Sequence, residues 1–216
     1  DTGTLTATLL TGDADVVADL SPDQSVALQE SGRFDITLVP RLGYAFIGFP
    51  SKGWDGVKAL ADVRVRTAIA KAIDRQALIK VKVGGFGDGE RPPEALCAKE
   101  QLGCGYAKQA PNYDPAGAKK LLAEAGYADG FDVVISCFPS SAPDATAIAG
   151  MLRAVGIRAT VRQHPTAQRV QLINQGKIEI GYYGWSGGGM MDVSGQLGRH
   201  VDSREYDDPV LAKLAE

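Results

Sequence analysis

The alternation between residues 131 and 185 constrains this chain more than any other feature. An apolar stretch at 131–138 is broken by Pro139, Ser140 and Ser141. A helical segment then runs from about Pro143 to Val155 and stops at Gly156. A second extended stretch, 157–162, leads to Pro165 and a helix carrying Val170, Leu172 and Ile173. Gly176 ends that helix, and a third extended run follows over 178–185. Strand–helix–strand–helix–strand in steps this short predicts an α/β fold with parallel strands and right-handed crossovers. The loops at the carboxyl ends of those strands then share one sheet edge, where open α/β sheets bind their ligands. Residues 136–141 and 185–192 are expected to be neighbours there.

The third run passes into a glycine-rich stretch. Ile178, Ile180, Tyr182 and Tyr183 read as buried strand, and Gly184, Gly187, Gly188 and Gly189 surround Trp185. Glycine lets a backbone approach a ligand closely, and an indole offers a flat apolar face with one N–H donor. One reading makes this strand end the floor of a small-molecule pocket. The other makes it a glycine-rich loop with a tryptophan tucked into the core. Asp192, the carboxylate just past the glycines, is placed either to receive an amine or hydroxyl or to cap the next turn.

Upstream, residues 5–20 read as the tail of a helix, a turn at Gly12-Asp13 and a short strand. Ser21-Pro22 starts a helix that Gly32 closes. Residues 34–39 alternate apolar and polar and predict a strand. A second apolar run, 44–49, carries Tyr44 and Phe46 and ends at Pro50. Asp62 caps a helix whose apolar residues Val65, Ala68, Ile69, Ala72 and Ile73 recur at helical spacing. Asp74 starts another helix carrying Leu78 and Ile79. Residues 84–113 form a long glycine- and proline-rich segment. Asp114-Pro115 opens a further helix, which Gly126 stops.

Composition narrows the function classes. Lys and Arg total 23 against 26 Asp and Glu, a net charge of −3 with no basic cluster, which argues against nucleic acid as a partner. No apolar run approaches the ~20 residues of a membrane-spanning helix. The first residues, Asp-Thr-Gly-Thr-Leu, have neither the basic nor the apolar segment of a signal peptide. Of the cysteines, Cys97 and Cys104 share the long loop-like segment and read either as a local disulfide or as two unpaired thiols. A bridge there would favour an oxidising compartment. Cys137 reads as a small buried hydrophobe.

Catalytic patterns are sparse. His164 and His200 have no second histidine or cysteine at metal-ligand spacing and read as surface or capping residues. There is no G-x-S-x-G elbow and no phosphate-cradling G-x-x-x-x-G-K-S/T pattern. The expectation is therefore binding without chemistry, no cofactor and no metal. The alternative is an α/β enzyme domain that binds a phosphorylated small molecule at the glycine-rich loop.

Several segments taken together resemble the extracellular solute-binding proteins of the peptide/nickel class (family 5), which feed ABC importers. They are Leu-Leu-Thr-Gly-Asp-Ala-Asp-Val-Val at 9–17, Asp-Val-Arg-Val-Arg-Thr-Ala-Ile-Ala-Lys-Ala-Ile-Asp-Arg at 62–75, and Asp-Pro-Ala-Gly-Ala-Lys-Lys-Leu-Leu-Ala-Glu-Ala-Gly-Tyr-Ala-Asp-Gly-Phe at 114–131. Leu-Arg-Ala-Val-Gly-Ile-Arg-Ala at 152–159 and Gly-Tyr-Tyr-Gly-Trp at 181–185 complete the set.

The resemblance implies a periplasmic-binding-protein-like lobe, its mostly parallel sheet flanked by helices, cut from a two-lobed receptor. Residues 1–50 would be a hinge-proximal segment with entry strands, 51–195 the ligand-binding lobe, and 196–216 a return segment. It further implies a periplasmic or extracellular location, a monomer, and a membrane permease as partner. The solute would be peptide-like, an opine, a sugar or a metal chelate. The expected ligand contacts are Trp185, Ser186, Gly187, Gly188 and Asp192, with Tyr44 and Phe46 as a side wall. Peptide-binding members hold the peptide's amino group with an aspartate soon after the Gly-Trp pair. Here Gly187 and Gly188 stand closest and Asp192 comes later, so the expected ligand is other than a free peptide. A receptor of this kind repurposed as a chemosensor or chaperone-like partner would carry the same residues.

Overall fold

A computed structural model describes residues 2–18, 20–37, 43–49, 56–83, 102 and 110–186. The chain divides into two compact units, one of Asp1–Pro40 with Gln76–Pro92 and the other of Arg41–Arg75 with Pro93–Glu216.

The first unit is helical. Helix α1 (Thr2–Thr11) ends at the left-handed Gly12. Helix α2 (Pro22–Glu30) begins with a capping box. Ser21 Oγ accepts from the Gln24 amide, and the Gln24 side chain accepts from the Ser21 amide. Leu28 is its buried residue. Two predicted strands are not seen among the described residues. Residues 16–18 carry no strand after the turn, and 34–37 are bend and irregular chain, with 38 and 39 outside the described residues. Alternation is a local signal, whereas a strand also needs a ladder partner, and none is described for this segment.

The second unit holds the sheet. Its strands are β1 (Gly43–Gly48), β2 (Asp132–Cys137), β3 (Arg158–Gln163) and β4 (Ile180–Ser186), in the order β1-β4-β2-β3. β2 runs parallel to both β3 and β4, as the alternation predicts, and β1 is antiparallel to β4. The parallel contact between β2 and β4 is short, with Ile135 opposite Ile180 and Ser136 opposite Gly181. β4 then continues past the end of β2 and pairs with β1, from Gly48 opposite Gly181 to Gly43 opposite Ser186. Gly184 lies within this strand rather than in a loop.

Helix α6 (Ala142–Ala154) and helix α7 (Thr166–Asn174) are the crossovers. Val133, Ile135, Cys137 and Ile180 are buried with the α6 residues Ala145, Ile148, Ala149 and Leu152. Each of the valine, leucine and isoleucine side chains among them contributes about 1.5–3 kcal/mol through burial. Glycine at positive φ ends both α5 (Pro115–Glu124), at Gly126, and α6, at Gly156.

Helix α3 (Val63–Ala72) packs antiparallel to α5. Arg64 Nη1 donates to the Glu124 carbonyl at one end, and Lys71 Nζ lies 2.9 Å from Asp114 Oδ2 at the other. Asp62 and Asp114 are the N-caps, accepting from the amides of Arg64 and Gly117. Val65, Ala68, Ile69 and Ala72 are buried, as their spacing predicts. Helix α4 (Arg75–Val83) follows where Asp74 places its start, and from Gln76 on it belongs to the first unit.

Candidate functional site

The projecting part of β4 and its partner β1 carry an aromatic row. Strand alternation places Tyr44 and Phe46 on one face of β1, and the register sets Phe46 opposite Tyr183 and Tyr44 opposite Trp185. The Tyr44 and Phe46 ring centres are 5.7 Å apart, and Phe46 and Tyr183 stack at 5.3 Å. Tyr44 is pushed up from 10.0 to about 12 by burial.

The Tyr183 ring lies over a glycine pair. Gly48 and Gly181 are opposite each other. A Cβ on Gly48 would come within 2.8 Å of Tyr183 Cε2, and one on Gly181 would overlap the same ring. Both positions therefore need glycine for the ring to lie where it does.

At the far side of Tyr183 stands Arg169, in the first turn of α7 and only 2% exposed. Its guanidinium carbon lies 4.3 Å from the centre of the Tyr183 ring and 4.4 Å from that of Phe138, the residue after β2. A cation between two ring faces is attracted by both quadrupoles. Nη2 donates to the Tyr182 carbonyl at 2.8 Å, while Nε and Nη1 have no hydrogen-bond acceptor. The apolar residues read on this helix were Val170, Leu172 and Ile173. Val170 is 53% exposed, and Arg169 takes the buried place. The spacing held a signal, since Arg169 lies three and four residues before Leu172 and Ile173 and so shares their stripe.

The opposite face of β4 is fixed differently. Tyr182, 7% exposed, donates its hydroxyl to Asp144 Oδ2 in the first turn of α6 at 2.8 Å. Burial, then this bond, raises its pKa. Alternation puts Tyr182 and Tyr183 on opposite faces, so α6 and α7 cover opposite sides of the strand. The buried Cys137 thiol is likewise raised by burial, an effect that Arg169 partly offsets. Glu179 Oε2 accepts from the Val134 amide at 2.6 Å, replacing a ladder bond where β4 has not yet begun.

Of the sequence-predicted contacts, Tyr44 and Phe46 are brought together with the backbone of Trp185 and Ser186, whose register partners are Tyr44 and Gly43. Gly187, Gly188 and Asp192, and the cysteines Cys97 and Cys104, lie outside the described residues. Tyr183 was read from sequence as part of the strand, whereas Arg169, Phe138, Gly48 and Gly181 were not singled out as site residues.

Comparison with known proteins fits this geometry. The sequence model of the bacterial extracellular solute-binding proteins, family 5 (middle), matches residues 1–208. The glutathione-binding protein GsiB of Salmonella choleraesuis is 31% identical over 202 residues, covering 86% of this chain and 36% of that protein. Di/tripeptide-binding protein 3 of Pseudomonas aeruginosa is 27% identical over 191 residues, covering 83% and 34%. The solved structure of NikA from Brucella suis in complex with Fe(III)-EDTA superposes with a TM-score of 0.82 at 20% identity, covering 100% of this chain and 47% of that one. The chain thus spans about a third of the length of these curated relatives. With its family segments in register and its α/β sheet shared with solved periplasmic-binding-protein folds, this chain belongs to the bacterial extracellular solute-binding proteins, family 5.

Proposed function

We propose that the chain is one lobe of the receptor component of an ABC importer, gripping a small solute by hinge closure and presenting it to a membrane permease. The observation that carries this reading is the projecting end of β4. It sets Tyr44, Phe46 and Tyr183 in one row at the carboxyl edge of the sheet, an apolar wall of the kind that buries a small ligand. In this reading Trp185 stacks on the solute, Ser186 and the backbone of Gly187 and Gly188 supply hydrogen bonds, and Asp192 adds a charge. Tyr44 and Phe46 form the side wall. Residues 1–50 serve as the hinge-proximal segment, 51–195 as the binding lobe and 196–216 as the return toward a second lobe. The receptor works as a monomer in the periplasm or outside the cell, and releases its solute chemically unchanged. The relatives named for glutathione and di/tripeptides support a peptide-like ligand.

The test is a thermal-shift screen of the full-length protein that carries this sequence, against glutathione, dipeptides, opines, metal chelates and sugars. At least one should raise the melting temperature and be recovered intact. No shift across the panel, or conversion of the ligand, would contradict the receptor reading.

A further inference from the structure

We propose that Arg169 is a carboxylate receptor, and that the solute this lobe takes carries a carboxylate seated on it. This rests on the receptor reading above and narrows its ligand class. Arg169 is 2% exposed, and among the described residues no carboxylate pairs with it. A buried cation without a counter-charge is costly, and the two rings that flank it only partly offset that cost. The same rings hold it in place, with the Tyr182 carbonyl accepting from Nη2.

The geometry of the guanidinium decides what it can take. Its nitrogens form two forks, Nε with one Nη2 hydrogen and Nη1 with the other. Giving one Nη2 hydrogen to the Tyr182 carbonyl uses part of one fork only. The other stays whole, because Nε and Nη1 have no acceptor. A whole fork is the bidentate complement of a planar carboxylate. The site also sits at the sheet edge where the aromatic row ends. Nε and Nη1 are themselves sealed from solvent, while the flanking Phe138 and Tyr183 are each only half-buried, so a solute lying on Tyr44, Phe46 and Tyr183 takes up the fork as one of these rings swings aside. Opines, polycarboxylate chelates and glutathione all carry the required group. Neutral sugars do not.

The experiment compares acids with their amides or esters on the full-length protein by titration calorimetry: glutathione against its diethyl ester, Ala-Ala against Ala-Ala-amide, and glutarate against glutaramide. Wild type should favour at least one acid by about tenfold or more, and Arg169→Gln should bring that preference within about twofold while the neutral form binds as before. Two-dimensional NMR should show the Arg169 Nε–H resonance moving on addition of the favoured acid. Equal binding of acid and neutral forms, or a preference that survives in Arg169→Gln, overturns this inference and leaves the receptor reading standing. Binding of neither form in any pair overturns this inference, and the receptor reading falls with it only where the thermal-shift panel is silent too. The wild-type comparison and the NMR signal stand even where the Gln variant fails to fold.

Discussion

Arg169 Nη2 donates to the backbone carbonyl of Tyr182 at 2.8 Å, so a side chain from α7 is tied to the strand that carries the aromatic row. The next residue along that strand, Tyr183, stacks on the same guanidinium. One cation thereby sets the position of both the helix start and the strand end.

The opposite face of β4 depends on Tyr182 and Asp144. Replacing Tyr182 by Phe removes a hydrogen bond made by a nearly buried hydroxyl. Chemical denaturation should show a loss of about 1–2 kcal/mol, with an unchanged denaturant slope. An unaltered midpoint would mean the bond contributes nothing.

Tyr44 should titrate late. Burial raises it from 10.0 to about 12, so the unfolded chain loses this proton before the folded chain does. Its contribution to stability is full below pH 10 and is lost as pH rises toward about 12. Ultraviolet titration should show a phenol ionising near 12 that disappears in Tyr44→Phe.

Asp114 governs part of the acid limb. The hydrogen bond from Lys71, and then the Gly117 amide, hold its carboxyl below its ordinary value. A lowered folded value stabilises above the unfolded pKa and is lost as pH falls below about 4. Asp114→Asn keeps a cap acceptor but not the charge. Its melting temperature should fall less between pH 5 and pH 3 than that of wild type; identical acid limbs would contradict the assignment.

Gly181 makes room for the Tyr183 ring. Gly181→Ala should push that ring away from Phe46 and Arg169 and destabilise by about 1–3 kcal/mol, as overpacking does. Solute affinity should weaken more than in Gly150→Ala, where a Cβ meets open space. Equal affinities in the two variants would remove Tyr183 from the site.

The order of β2, α6, β3, α7 and β4 was legible because glycine and proline punctuate it and apolar residues mark each strand. Asp62, Ser21 and Asp114 were legible as caps because a cap is a local device. The strand expected over 34–39 is not formed at its described residues, 34–37, for the same locality, since alternation says nothing about a ladder partner. Arg169 escaped notice because charge usually marks a solvated face, and what buries it comes from elsewhere in the chain. Phe138 lies 31 residues before it and Tyr183 follows it on another strand. The role of Gly181 was hidden likewise, because the ring above it is visible only once β4 is folded against β1.

The most direct test is hydrogen–deuterium exchange on the full-length protein, with and without a saturating solute from the panel. The account predicts slowed exchange at 43–48 and 181–186, the strands that carry the aromatic row, together with the first turn of α7. Bound solute with unchanged exchange in those segments would contradict it.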